Sequence, residues 1–148
     1  MHLREPVTTP EALQVLVQEV RAALATVPIL SFDTEFLRES TFFPRLELLQ
    51  LGTLEETWIV DIQAFRPSKA GRVERITDLK PLAPLIELLE DPSILKVGHA
   101  LQSDQECLYW TLGMTAKPAV DTAIAASLLG MGESIGLAKL HERVLDVE

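Results

Sequence analysis

Apolar residues recur at helical spacing near the start of the chain, where Leu13, Leu16, Val17, Val20 and Leu24 fall on one face of a 3.6-residue repeat. Thr9 just ahead of them suits a helix N-cap, and Pro10 suits the first helical position. The pattern predicts a helix that ends near Val27-Pro28. The apolar run at 29–33 then reads as a strand, 46–51 as a second and 57–61 as a third. A polar and aromatic loop, Arg38 to Pro44, separates the first two. The charged stretch 66–75 contains Gly71 and reads as a loop. Helical spacing returns at 82–89, a fourth strand follows at 94–99, and 103–112 is a helix with Ser103 as its cap. A short extended stretch at 119–121 and helices at 122–129 and 137–144 complete the order.

Three consecutive strands with short links predict antiparallel pairing, whereas the later strands alternate with helices and predict parallel additions. The expected class is therefore α/β, a mixed sheet flanked by helices. The chain has 148 residues, 47% of them apolar and 24% charged, which fits one soluble globular domain spanning 1–148. No apolar run reaches the roughly 18 residues of a membrane helix, and the first residues lack the apolar stretch of a secretory signal. Cys107 is the only cysteine, so an internal disulfide is impossible and a cytoplasmic setting is expected.

The net charge of −9 weighs against a sequence-reading DNA binder or a histone-like protein, which need a basic patch to neutralise phosphates. It leaves room for a metal-dependent nuclease, whose ions bring positive charge to the phosphate. Asp33 and Glu35 sit two apart at the end of the first strand, so both point to one face of the sheet. Paired carboxylates repel unless a cation lies between them, and hard divalent cations favour oxygen ligands. A solvated strand end is the blander reading of the same pair. Asp104 follows the fourth strand in a first helical turn, where the helix dipole alone would explain it. His99 ends that strand, a position often filled for structural reasons. The glycines at 130, 132 and 136 do not match a dinucleotide-binding spacing and follow no clear strand.

The wider context changes the weight of these residues. Phe32-Asp33-Thr34-Glu35-Phe36, the aromatic-Pro loop through Phe42-Phe43-Pro44, and Leu48-Leu49-Gln50-Leu51 together resemble the first exonuclease motif of the ribonuclease D family. Lys96-Val97-Gly98-His99-Ala100-Leu101-Gln102-Ser103-Asp104 resembles the second. Pro118-Ala119-Val120-Asp121-Thr122 is similar to the family's P-x-x-D-T segment, and Gly136-Leu137-Ala138-Lys139-Leu140 to the helix after it. The resemblance, to the tyrosine-type branch of the DEDD superfamily, covers about Pro10 to Glu148. It implies a ribonuclease H-like sheet and removal of nucleotides from the 3′ end of RNA, with DNA as a further possibility. It implies that Asp33, Glu35 and Asp104 are catalytic and coordinate two divalent ions, Mg²⁺ or Mn²⁺. Asp33 would bridge the ions, with Glu35 on one and Asp104 on the other. Phe36, Leu37 and His99 would contact the substrate, and Asp121 would support the site while capping the next helix. Phe42 and Phe43 read equally well as stacking surface or as core.

The family's third motif is a Tyr with an Asp four residues later. The only tyrosine is Tyr109, and Gly113 stands at that spacing. By the family pattern the motif would fall some tens of residues past Glu148, so the fold is expected to be C-terminally incomplete. His141 and Asp146 have the spacing of a sister group's motif, but their stretch matches the helix that precedes the missing segment. The expectations are weak metal binding, little hydrolysis by the chain alone and a tendency to self-associate. A nuclease-like module that binds RNA or protein without cutting is the competing expectation.

Overall fold

The computed structural model describes residues 4–38, 42–66 and 75–145. Most of the expected 66–75 loop, the centre of the aromatic-Pro loop and Asp146 lie outside the described residues. Helix α1, Pro10–Ala23, is capped as its sequence predicts: the Thr9 hydroxyl accepts from the Ala12 N–H, and Pro10 opens the first turn. Its buried stripe is Leu13, Leu16, Val17 and Val20. Each such side chain contributes roughly 1.5–3 kcal/mol by leaving water, as an upper bound.

The strands are β1 (Ile29–Leu37), β2 (Arg45–Gly52), β3 (Thr57–Asp61), β4 (Leu95–Gly98) and β5 (Ala119–Asp121), in the spatial order β3-β2-β1-β4-β5. The first three pair antiparallel, β4 adds parallel to β1, and β5 adds parallel to β4. This is the mixed sheet that the pattern predicts. The remaining helices are α2 (Ala83–Glu90), α3 (Gln102–Leu112), α4 (Thr122–Leu128) and α5 (Leu137–Leu145). Leu30 and Phe32 of β1 pack with Leu46, Leu49 and Leu51 of β2 and with the apolar faces of α1, α2 and α3.

Helix α1 ends at Ala23, short of Val27-Pro28, and β4 ends at Gly98, so His99 follows the strand; two further boundary shifts bear on the acids. Strand β1 continues to Leu37, four residues beyond Asp33, because β2 keeps pairing with it as far as Leu37 opposite Arg45. Asp33 and Glu35 therefore stand inside a strand. The register shifts between Glu35 and Phe36, an irregularity that re-aims the strand just past the two carboxylates. Helix α3 starts one residue earlier than expected, and its N-cap is Leu101, which makes no side-chain cap bond. Ser103 thus lies inside the helix and is not its cap.

Among the described residues two charged side chains are buried, Asp104 and Lys96. Lys96 of β4 is fully buried, and its Nζ donates to the Asp91 carbonyl at 2.7 Å. That carbonyl belongs to the residue capping the C-terminus of α2, where a cation completes the unpaired end of a helix. Burial pulls the Lys96 ammonium below its ordinary range, against the pull of Asp91 and Glu90.

Candidate active site

Alternation along β1 sends Leu30, Phe32 and Thr34 into the core and Ser31, Asp33 and Glu35 to the open face. Parallel pairing with β4 reaches only Ser31, opposite Val97, and β4 stops at Gly98. The Thr34 N–H therefore extends past the end of that ladder. A buried N–H needs a partner, and the first turn of α3 supplies it. Asp104, 6% exposed, accepts from the Thr34 N–H at 3.1 Å and from the Thr34 hydroxyl at 2.6 Å, both on Oδ1. The second carboxylate oxygen of Asp104 takes no hydrogen bond among the described residues.

Asp33 stands beside this pair. Burial pushes its carboxyl above the ordinary 3.8, the Asp104 charge pushes it further, and a backbone hydrogen bond at Thr34 opposes both. The Thr34–Asp104 bonds place the two aspartates in one locality although 70 residues separate Thr34 from Asp104 in sequence. Glu35 receives a long hydrogen bond from Gln50 Nε2, 3.4 Å, across the β1–β2 ladder. Among the described residues, no group of three or more His, Cys, Asp and Glu side chains is gathered tightly enough to hold an ion alone. The structure brings Asp33 and Asp104 together and leaves Glu35 against Gln50. Two repelling carboxylates, one with an unused oxygen, still fit a divalent cation. Mg²⁺ commonly binds through one or two carboxylates, several waters and a substrate phosphate, without a full protein cage.

The turn between β4 and α3 sets where Asp104 begins. Gly98 leaves room for Leu101: a Cβ there would lie 2.1 Å from Leu101 Cδ2 and 3.0 Å from the Phe32 carbonyl oxygen. Ala100 adopts a left-handed conformation, φ +56°, unusual for an alanine. Asp121, at the end of β5, holds this turn. Its Oδ1 accepts from Ala100 N–H at 2.9 Å and Ala123 N–H at 2.8 Å, and its Oδ2 accepts from Leu101 N–H at 2.8 Å. The same carboxylate thus caps α4, as the sequence predicts, and clamps the start of α3. Burial tends to raise the Asp121 carboxyl, but the backbone N–H groups of Leu101, Ala123, Ala100 and Ile124 outweigh it and hold it below 3.8.

His99 has both ring nitrogens engaged: Nδ1 meets Thr122 Oγ1 and Nε2 meets the Ile135 carbonyl, each at 2.9 Å. A carbonyl only accepts, so Nε2 carries the hydrogen. The Gly98 carbonyl lies 3.1 Å from the same Thr122 hydroxyl, so it and His99 Nδ1 compete for that group's single hydrogen. His99 therefore ties β4 to α4 and to the approach to α5. Phe36 packs partly against the core, and Leu37 ends β1 half-buried. Phe42 is 88% exposed, whereas Phe43 packs on Trp110 with ring centroids 3.7 Å apart, so the two aromatics divide between surface and packing. The Thr34–Asp104 bonds, the Arg38–Glu106 ion pair at 3.1 Å and the Tyr109–Trp110 pair on α3 are contacts that no local pattern marks. A threonine between two acids carries no signal of its own, since its partner is chosen by the fold.

The 3′-5′ exonuclease family matches residues 5–148 of this chain. The chain belongs to the 3′-5′ exonuclease family. Among its relatives, ribonuclease D of Pseudomonas paraeruginosa is 37% identical over 83% of this chain and 29% of its own length. Ribonuclease D of Nitrobacter hamburgensis is 39% identical over 84% of this chain and 29% of its own length. Among solved structures, Escherichia coli RNase D, described as an exoribonuclease involved in structured RNA processing, superposes with a TM-score of 0.78. It is 34% identical, covering 99% of this chain and 34% of that one. The chain thus spans about three tenths of the length of the curated relatives it matches. Exonucleases of this family use divalent metal ions. No helix among the described residues is long and apolar enough to cross a membrane.

Proposed function

We propose that this chain is a single exonuclease-like domain that hydrolyses phosphodiester bonds from the 3′ end of single-stranded RNA. The observation that carries the reading is the bond between Thr34 and the buried Asp104: it sets a carboxylate from a distant segment against the strand residue that lies between Asp33 and Glu35, whose side chains stand on the open face. In this reading Asp33, Glu35 and Asp104 would hold two divalent ions, Mg²⁺ or Mn²⁺. Two such ions, when bound, stabilise the attacking and the leaving oxygen of the phosphodiester together. Phe36, Leu37 and the exposed Phe42 offer apolar and aromatic surface to the terminal bases, and stacking of this kind tolerates any sequence. His99, with both ring nitrogens held inside the protein, supports the substrate side through its ring and through the backbone it fixes. Retention of all three acids favours hydrolysis over a purely binding role.

The sequence holds no Tyr with an Asp four residues later, so water orientation lacks its usual side chain and turnover by this chain alone is slow. A cytoplasmic setting belongs to the same proposal, since Cys107 is a buried thiol pushed up to about 12 by burial and remains unpaired. Incubating the purified chain with 5′-labelled single-stranded RNA and Mn²⁺ should give a slow ladder of 3′-shortened products that EDTA abolishes. RNA that is bound but never shortened, at any metal concentration, would replace hydrolysis with the binding role.

Self-association is a second part of the proposal. Val120, Ile124, Leu128, Leu129, Leu137 and Val144 are 41–84% exposed on β5, α4 and α5 and the segment between these helices, and α5 buries no residue. Apolar surface of that extent favours a partner. Sedimentation velocity should show species larger than a monomer at high protein concentration, reduced by Leu128→Glu. A wild-type chain that sediments as a monomer throughout would rule this out.

A further inference from the structure

We infer that Thr34, the residue between the two acids of β1, is a positioning residue that fixes the orientation in which the Asp104 carboxylate faces a metal ion. The inference rests on the proposal that Asp104 is a metal ligand. Thr34 points to the opposite side of the strand from Asp33 and Glu35, is 6% exposed, and reaches Asp104 from both its N–H and its hydroxyl. Both bonds end on Oδ1, at 3.1 Å and 2.6 Å. The hydroxyl bond is short, as expected where a carboxylate accepts from O–H. Threonine is branched at Cβ and stiff about χ1, so the hydroxyl is held where the strand puts it. With one oxygen occupied twice, the carboxylate cannot turn out of its plane without straining both bonds, and among the described residues the other oxygen takes no hydrogen bond. The ligand is thereby oriented before any ion arrives.

The geometry has a further consequence. β4 is too short to pair with Thr34, and the carboxylate of Asp104 takes the place that a ladder carbonyl would fill. One peptide segment, Asp33-Thr34-Glu35, thus presents two acids on one face and fixes the third from the other.

The test compares Thr34→Val, which keeps the shape and removes the hydroxyl, with Thr34→Ser, which keeps the hydroxyl. Mn²⁺ affinity, measured by calorimetry with no substrate present, should fall about 10-fold or more in Thr34→Val, the scale for removing a group that orients a metal ligand. Thr34→Ser should restore it. Crystal structures of the metal-free variants should show the Asp104 carboxylate turned in Thr34→Val and unturned in Thr34→Ser. If Thr34→Val does not fold, Thr34→Ala offers the same loss in a looser site. Unchanged Mn²⁺ affinity, or an unturned Asp104 in the variants lacking the hydroxyl, overturns the inference. Should the wild-type chain take up no Mn²⁺, the metal reading of the site fails, and the orientation of Asp104 in the variants decides the role of Thr34 by itself.

Discussion

Asp33→Asn abolishes 3′ trimming and raises the melting temperature of the metal-free protein. The two effects come from one cause. Without an ion, the Asp33 charge is disfavoured by burial and by Asp104, which is why its carboxyl sits above 3.8. Asparagine keeps the shape and removes the repulsion. Groups that serve chemistry are commonly stabilised when neutralised, at the expense of activity. The rate should fall by roughly 10²–10³ fold or more, the scale of losing one preorganised electrostatic group. The thermal gain must be measured in EDTA, and solvent access to Asp33 keeps it modest. Its pH dependence has a definite sign. A carboxyl raised in the folded state is neutral without penalty below 3.8, and stability is lost as pH rises through its folded value. The advantage of Asp33→Asn over wild type should therefore be absent in acid and appear toward neutrality. A variant that melts below wild type at neutral pH in EDTA would mean that the repulsion between Asp33 and Asp104 is not what governs this part of the site.

Asp121→Ala should have the largest effect on stability. Three hydrogen bonds are seen directly, to Ala100, Leu101 and Ala123, and Ile124 adds a fourth favourable backbone group. Hydrogen bonds to a charged acceptor contribute about 1.5–3 kcal/mol each, and an N-cap alone about 1 kcal/mol. They are not additive, so a total loss of roughly 3 kcal/mol is expected, a large share of the 5–15 kcal/mol typical of a domain. The loss also frees Ala100 from its left-handed turn, and the start of α3 then no longer fixes Asp104. Urea denaturation should show the reduced midpoint. The sign with pH is opposite to that of Asp33: a depressed carboxyl contributes above 3.8 and loses that contribution as pH falls through its folded value. The gap between wild type and Asp121→Ala should narrow in acid. An unchanged midpoint at neutral pH would show that the turn holds without its clamp.

Much of the fold was legible along the chain because local rules and packing agree. Thr9-Pro10 opens α1 and Asp121 caps α4 as their residue types require. The order of strands and helices gave the mixed sheet. The boundaries that moved were set by pairing: β1 runs on because β2 is there to bond it, and α3 starts at Gln102 with no side-chain cap. Motif and order mark Asp33, Glu35 and Asp104, but nothing local says that Thr34 bonds Asp104 while Glu35 rests on Gln50.

What the sequence determined by itself was the set of elements, which follows from residue spacing that neighbours in the chain enforce, and the family, which its motifs carry by resemblance. What only the tertiary structure decided was which polar groups meet. The early end of β4 leaves the Thr34 N–H without a strand partner, and the turn held by Asp121 brings Asp104 to it. A buried donor must be satisfied by whatever the fold places within reach, and reach is a property of three dimensions that no local pattern encodes.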